Sequence, residues 1–132
     1  MAKTVVGLYD DASTAKKVVR ELEQTGFGED HLRTTSREKN FKSDYGVDAD
    51  EVDPKYLSRY GIPDEEADFY AEGVRRGGAL VIARVHDDDA QTAADVMARH
   101  SPVQYENRLA DYKERGYSGY TQEAKPYSDT EI

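Results

Sequence analysis

Gly77-Gly78-Ala79-Leu80-Val81-Ile82-Ala83-Arg84-Val85 is the most apolar run in a chain that is otherwise strongly polar, and an acidic turn, Asp87-Asp88-Asp89, follows it. The run is rich in Val and Ile, follows two glycines and is short for a helix, so it reads as a buried strand. Thr4-Val5-Val6-Gly7-Leu8-Tyr9 is the other stretch that competes with it. Both need burial, and pairing them in the middle of one sheet satisfies both.

Charged residues make up 34% of the 132 and the hydrophobic class 37%. The apolar residues are gathered in periodic segments, which suits one small domain rather than wholesale disorder. The chain contains no cysteine, which excludes disulfides, thiolate metal sites and a cysteine nucleophile and accords with a reducing cytosol. A net charge of −9 argues against a general nucleic-acid binder, which needs a basic stripe to displace counterions from phosphates. The basic pairs Lys16-Lys17 and Arg75-Arg76 each sit among carboxylates. No apolar run approaches the roughly 20 residues of a membrane span. Met1-Ala2-Lys3 leads straight into a strand rather than a signal peptide. A cytoplasmic protein with neither nucleic-acid nor membrane partner is expected.

Residues 3–9 form the first strand, after which Asp10 and Asp11 open a helix with Asp11 as its N-cap. Ala15, Val18, Val19 and Leu22 fall at i, i+3, i+4 and i+7, one apolar face, and Gly26 ends the helix in the left-handed position with Phe27 folding back. His31 to Ser36 alternates weakly and reads as a polar edge strand. Residues 37–62 form a polar linker holding one brief helical turn at Asp53-Pro54, which Gly61 stops. Ile62-Pro63 starts an inserted helix over 63–76. Acids in its first turn and Arg75 and Arg76 in its last complement the helix dipole. The third strand covers 79–86, and Asp87 to Asp89 cap a helix with Ala90, Ala93, Ala94 and Met97 on one face. Ser101-Pro102 breaks it, Val103 to Arg108 alternates as a fourth strand, and 109–132 is a Tyr-rich polar tail beyond a domain of residues 1–108.

The two halves repeat each other: Asp10-Asp11-Ala12-Ser13-Thr14-Ala15 resembles Asp88-Asp89-Ala90-Gln91-Thr92-Ala93. Two strand–helix–strand units interleave as the split βαβ, an α+β ferredoxin-like sandwich with an antiparallel four-stranded sheet of order 4-1-3-2. The apolar strands one and three take its centre and the polar strands its edges. Val6, Leu8, Val81, Ala83 and Val85 are expected under the two repeat helices. Val5, Tyr9, Leu80, Ile82 and Arg84 then form the opposite face, too apolar to stay wet. Either the inserted helix folds beneath it, or a second copy packs on it as a homodimer, which is the favoured reading; a protein partner is its variant.

Two blocks carry a family resemblance. Thr4-Val5-Val6-Gly7-Leu8-Tyr9-Asp10-Asp11 with Gly26-Phe27, and Gly61-Ile62-Pro63, Phe69-Tyr70, Gly73 and Arg76-Gly77-Gly78-Ala79-Leu80-Val81, resemble the heat-induced general stress protein family (the 17M-like domain). The resemblance covers most of residues 3–108. It implies a bacterial stress-induced cytoplasmic protein with no assigned enzymatic activity and no site residues to carry over.

Candidate chemistry is sparse. His31, His86 and His100 match neither zinc nor EF-hand spacing, even with Asp87-Asp88-Asp89 beside His86. Gly77-Gly78 precedes a strand, not a helix, so it is no phosphate cradle. Asp64, Glu65, Glu66 and Asp68 read as a solvated first turn. No G-x-S-x-G elbow occurs. A non-enzyme without cofactor or metal is expected, acting through self-association or protein binding. The alternative is a small-ligand sensor or enzyme with a pocket between sheet and inserted helix, lined by Tyr9, Tyr70, Arg84 and His86.

Overall fold

The computed structural model describes residues 2–28, 30–37, 45–47, 49–100, 102–103 and 105–114. The tail from 115 onward and linker residues 38–44 lie outside the described residues. The elements are β1 (Ala2–Tyr9), α1 (Ala12–Thr25), β2 (Leu32–Ser36), α2 (Pro54–Ser58), α3 (Asp64–Arg75), β3 (Ala79–His86), α4 (Ala90–Ala98) and α5 (Tyr105–Glu114).

The fold is α+β around a three-stranded antiparallel sheet of order β1-β3-β2. The two apolar stretches are neighbours, with Val6 opposite Ile82 and Leu8 opposite Leu80. Central position explains the composition of β3: its backbone is paired on both sides and Ala79 to Ala83 are all buried. β1, expected at the centre, is an outer strand here.

Among the described residues the four-stranded sheet is not formed. Val103 donates one backbone hydrogen bond to the Leu8 carbonyl (2.7 Å), beside β1 where a fourth strand would run. From Tyr105 the chain is helical instead. Leu109 and Tyr112 lie three apart, and a helix brings both against the α3 side of the sheet. Arg108 clamps the helix to Asp10 through two hydrogen bonds, 2.9 and 3.3 Å.

Local signals are followed closely elsewhere. Asp11 accepts from the Thr14 N–H at 2.7 Å, which holds its carboxyl below the usual range, and Gly26 closes α1 with φ 111°. Asp53 caps α2 through the Tyr56 N–H, with Pro54 in the first turn. At α4 the expected aspartate, Asp89, holds the N-cap position but makes no side-chain cap hydrogen bond. Asp87–Asp89 form a 3-10 turn, and the His86 ring nitrogen accepts from the Asp88 N–H at 3.3 Å.

α1 and α4 cover one face of the sheet, as the repeat requires. The strand residues beneath them are Val5, Tyr9, Val81, Ala83 and Val85. α2, α3 and α5 cover the other face, over Leu8, Leu80 and Ile82, with Val6 at its margin. The expected partition was therefore wrong for β1. Val5 and Tyr9 exchange faces with Val6 and Leu8, because the register sets Val5 against Ala83 and Tyr9 against Ala79. A one-residue difference in register flips every side chain, and strand composition alone does not specify it. Tyr9 is wholly buried and its hydroxyl donates to the Met97 carbonyl at 2.9 Å. Burial raises its phenol well above the ordinary range. A Cβ at Gly7 would stand 2.7 Å from that hydroxyl, so the glycine makes room for the ring. On the opposite face a Cβ at Gly73 would stand 2.4 Å from Leu8 Cδ2, which marks the close crossing of α3 over β1.

Candidate functional site

On the α3 side, residues line up across the sheet as Leu8–Leu80–Thr35, then Val6–Ile82–Arg33, then Thr4–Arg84. The helical cover ends before the last of these. Leu80 and Ile82 are 0% and 2% exposed, whereas Arg84 is exposed. At that end a cleft of about 770 Å³ opens between the start of β1 and the α2–α3 turn. Lys3 to Val6 and Arg84 form one wall, Ser58 to Pro63 the other, and Glu66 and Tyr70 of α3 complete it.

The walls are tied together by named bonds. The Thr4 hydroxyl donates to the Tyr60 carbonyl at 2.6 Å, joining strand to turn. Gly61, with φ 81°, then takes the left-handed conformation that reverses the chain into Ile62-Pro63 and α3. Ile62 is buried in the core beneath, so the turn is anchored from both sides. The Tyr56 and Tyr60 hydroxyls lie 3.1 Å apart with their rings 5.5 Å apart. Burial, followed by that hydrogen bond, holds the Tyr56 phenol above its ordinary value.

Charge distinguishes the cleft. Arg59 and Arg84 line it against one carboxylate, Glu66, in a chain of net charge −9, while Lys3, paired with Val85, shares the other face of β1 with Val5. Among the described residues no carboxylate forms an ion pair with either arginine. Other arginines are paired: Arg37 with Asp50, Arg99 with Glu21, Arg108 with Asp10.

The sequence-derived sites are divided by the structure. Of the expected interaction face, Leu80 and Ile82 are buried under the chain's own helices and Tyr9 under the opposite ones. Only Arg84 and the edge residue Val5 reach the cleft. Of the expected pocket residues, Tyr70 and Arg84 line it. Tyr9 is on the wrong face, and the exposed His86 is used as a helix cap. Asp68, expected in a solvated first turn, stands one turn beyond Asp64 in α3 and is half-buried, and burial together with the Asp64 charge raises its carboxyl pKa.

Sequence reasoning missed Thr4, Arg59, Tyr60 and Glu66. The signal available was the helix–Gly61-Ile62-Pro63–helix break, which forces a turn; nothing local says that it faces β1. A second omission is a buried ionic cluster on α3. Arg75 binds Glu72 through two hydrogen bonds of 3.0 and 2.6 Å, and Arg76 adds a third at 2.8 Å. The Arg76 guanidinium also lies 3.8 Å from the centre of the Tyr112 ring. Glu72 is 0% exposed and Arg75 4%, so these arginines belong to the core rather than to a wet helix end.

Among the described residues, no group of three or more His, Asp or Glu side chains is placed to hold a metal ion, and no helix is long and apolar enough to cross a membrane. Neither a family model, nor a curated protein, nor a solved structure matches this chain, so its functional reading rests on its own geometry.

Proposed function

We propose that this protein is a small-molecule-binding module that holds its ligand in the cleft between the sheet and the α2–α3 turn. On the resemblance to stress proteins read from the sequence, we assign that binding to a bacterial cytoplasmic stress response; no reaction is proposed. The observation that carries the reading is the cleft itself: a cavity of about 770 Å³ at the Arg84 end of the α3-side face. Its volume is within the range of small-ligand sites, and its walls are bonded to each other before any ligand arrives. Self-association through the sheet face has lost its support, because Leu80 and Ile82 are already covered within the chain.

A thermal-shift screen against a metabolite collection tests the reading, with Ser58→Trp, an exposed wall position, as the blocked control. A ligand at 100 times its Kd stabilises by about 2.7 kcal/mol, a Tm rise of roughly 10 °C. Hits of that kind in the parent chain, lost in Ser58→Trp, are expected. A screen without hits, or hits that survive the substitution, contradicts the proposal.

A further inference from the structure

We infer that the cleft selects a small organic anion, one that carries a phosphate monoester or a carboxylate on a compact apolar body. This rests on the reading of the cleft as a ligand site and names the chemistry it would recognise.

The first ground is charge. Two arginines against one carboxylate give the lining a net charge of +1, within a chain whose total is −9. A surface fragment drawn at random from such a chain would be acidic. An anion matches the local excess; a neutral ligand leaves it uncompensated. The second ground is availability. Among the described residues Arg59 and Arg84 are in no ion pair, whereas the arginines of the α3 core and of the α5 clamp already hold carboxylates. The third ground is the type of cation. Both are arginines, whose planar forks bind carboxylate or phosphate oxygens in pairs. Arg84 stands on the central strand of the sheet, paired with Thr4. Tyr60 and Tyr70 supply ring surface for the apolar body, and both rings are half-buried and braced, by Tyr56 and Phe69 respectively.

The test is titration of the whole ¹⁵N-labelled protein with phenyl phosphate, phthalate, inorganic phosphate and, as the neutral control, phenol. The two organic anions share ring and charge but differ in headgroup, so their relative affinity identifies which source the site prefers. Expected are saturable shifts confined to the amides of Lys3 to Val6, Ser58 to Gly61 and Arg84. Binding of at least one organic anion should be tenfold or more tighter than that of phenol. Arg59→Gln and Arg84→Gln should each weaken it about tenfold, and Glu66→Gln should strengthen it. Arg20→Gln, an exposed charge change on α1, should leave it unchanged. Unchanged dispersion of the spectra reports that each variant is folded. Anion binding indifferent to Arg59 and Arg84 overturns the inference. If the thermal screen finds neutral ligands blocked by Ser58→Trp while the organic anions fail to bind, the choice of ligand is wrong and the cleft reading stands. If nothing binds in either experiment, both fall.

Discussion

Glu72→Gln is expected to destabilise the protein by about 3–5 kcal/mol, because it removes the carboxylate that the buried Arg75 and the half-buried Arg76 share. Glutamine retains the shape and some hydrogen bonding, so the loss isolates the charge. Arg75 is 4% exposed. The measurement is urea or thermal denaturation, with a fall in Tm of roughly 10–20 °C. A companion pair sharpens it. Arg75→Met should cost less when combined with Glu72→Leu than the single changes together imply, since an apolar pair of similar volume restores packing and only the half-buried Arg76 loses the Glu72 carboxylate. A loss below about 1 kcal/mol for Glu72→Gln would mean that the cluster is solvated.

Ile82→Glu is the second large effect, and its outcome distinguishes the structure from the expectation of an open sheet face. If that face served a homodimer, the substitution would yield a folded monomer. Ile82 is instead 2% exposed between β1 and β2 and beneath the α2–α3–α5 layer. A carboxylate placed there has no partner, and the expected cost is on the order of 4 kcal/mol or more, enough to unfold a chain of ordinary stability. Circular dichroism of the purified variant checks it: loss of cooperative melting is expected, and a well-folded variant with unchanged Tm contradicts the layer order.

Much of the architecture was legible because it depends on local chemistry. Asp11 as a cap, Asp53-Pro54 as a helix start, Gly26 as a left-handed stop and the apolar stripe of α1 are all decided within a few residues. The neighbouring placement of β1 and β3 followed from their shared need for burial. Register was not legible, since Val5 and Val6 are chemically identical and nothing in the strand says which one faces α1. The end of the domain misled for a different reason. Val103 to Arg108 alternates like a strand, but the helical pair Leu109 and Tyr112 lies past the point where the tail was thought to begin. The cleft depended on long-range placement: Thr4 and Tyr60 are 56 residues apart and meet through one hydrogen bond. Tyr70 and Arg84 were anticipated because both lie on elements whose faces the periodicity defines. Arg59 was not, because it is an ordinary exposed cation until the turn brings β1 beside it.

The central claim is that the chain covers its own sheet face and leaves the Arg84 end open. The absence of native cysteine allows a direct check by single-cysteine labelling. Ile82→Cys and Arg84→Cys would be reacted with a thiol reagent under native conditions across a dilution series. The account expects immediate labelling of Arg84→Cys, with Ile82→Cys protected to the same extent at every protein concentration. Rapid labelling of Ile82→Cys, or protection that disappears on dilution, would contradict it and return that face to solvent or to a second copy.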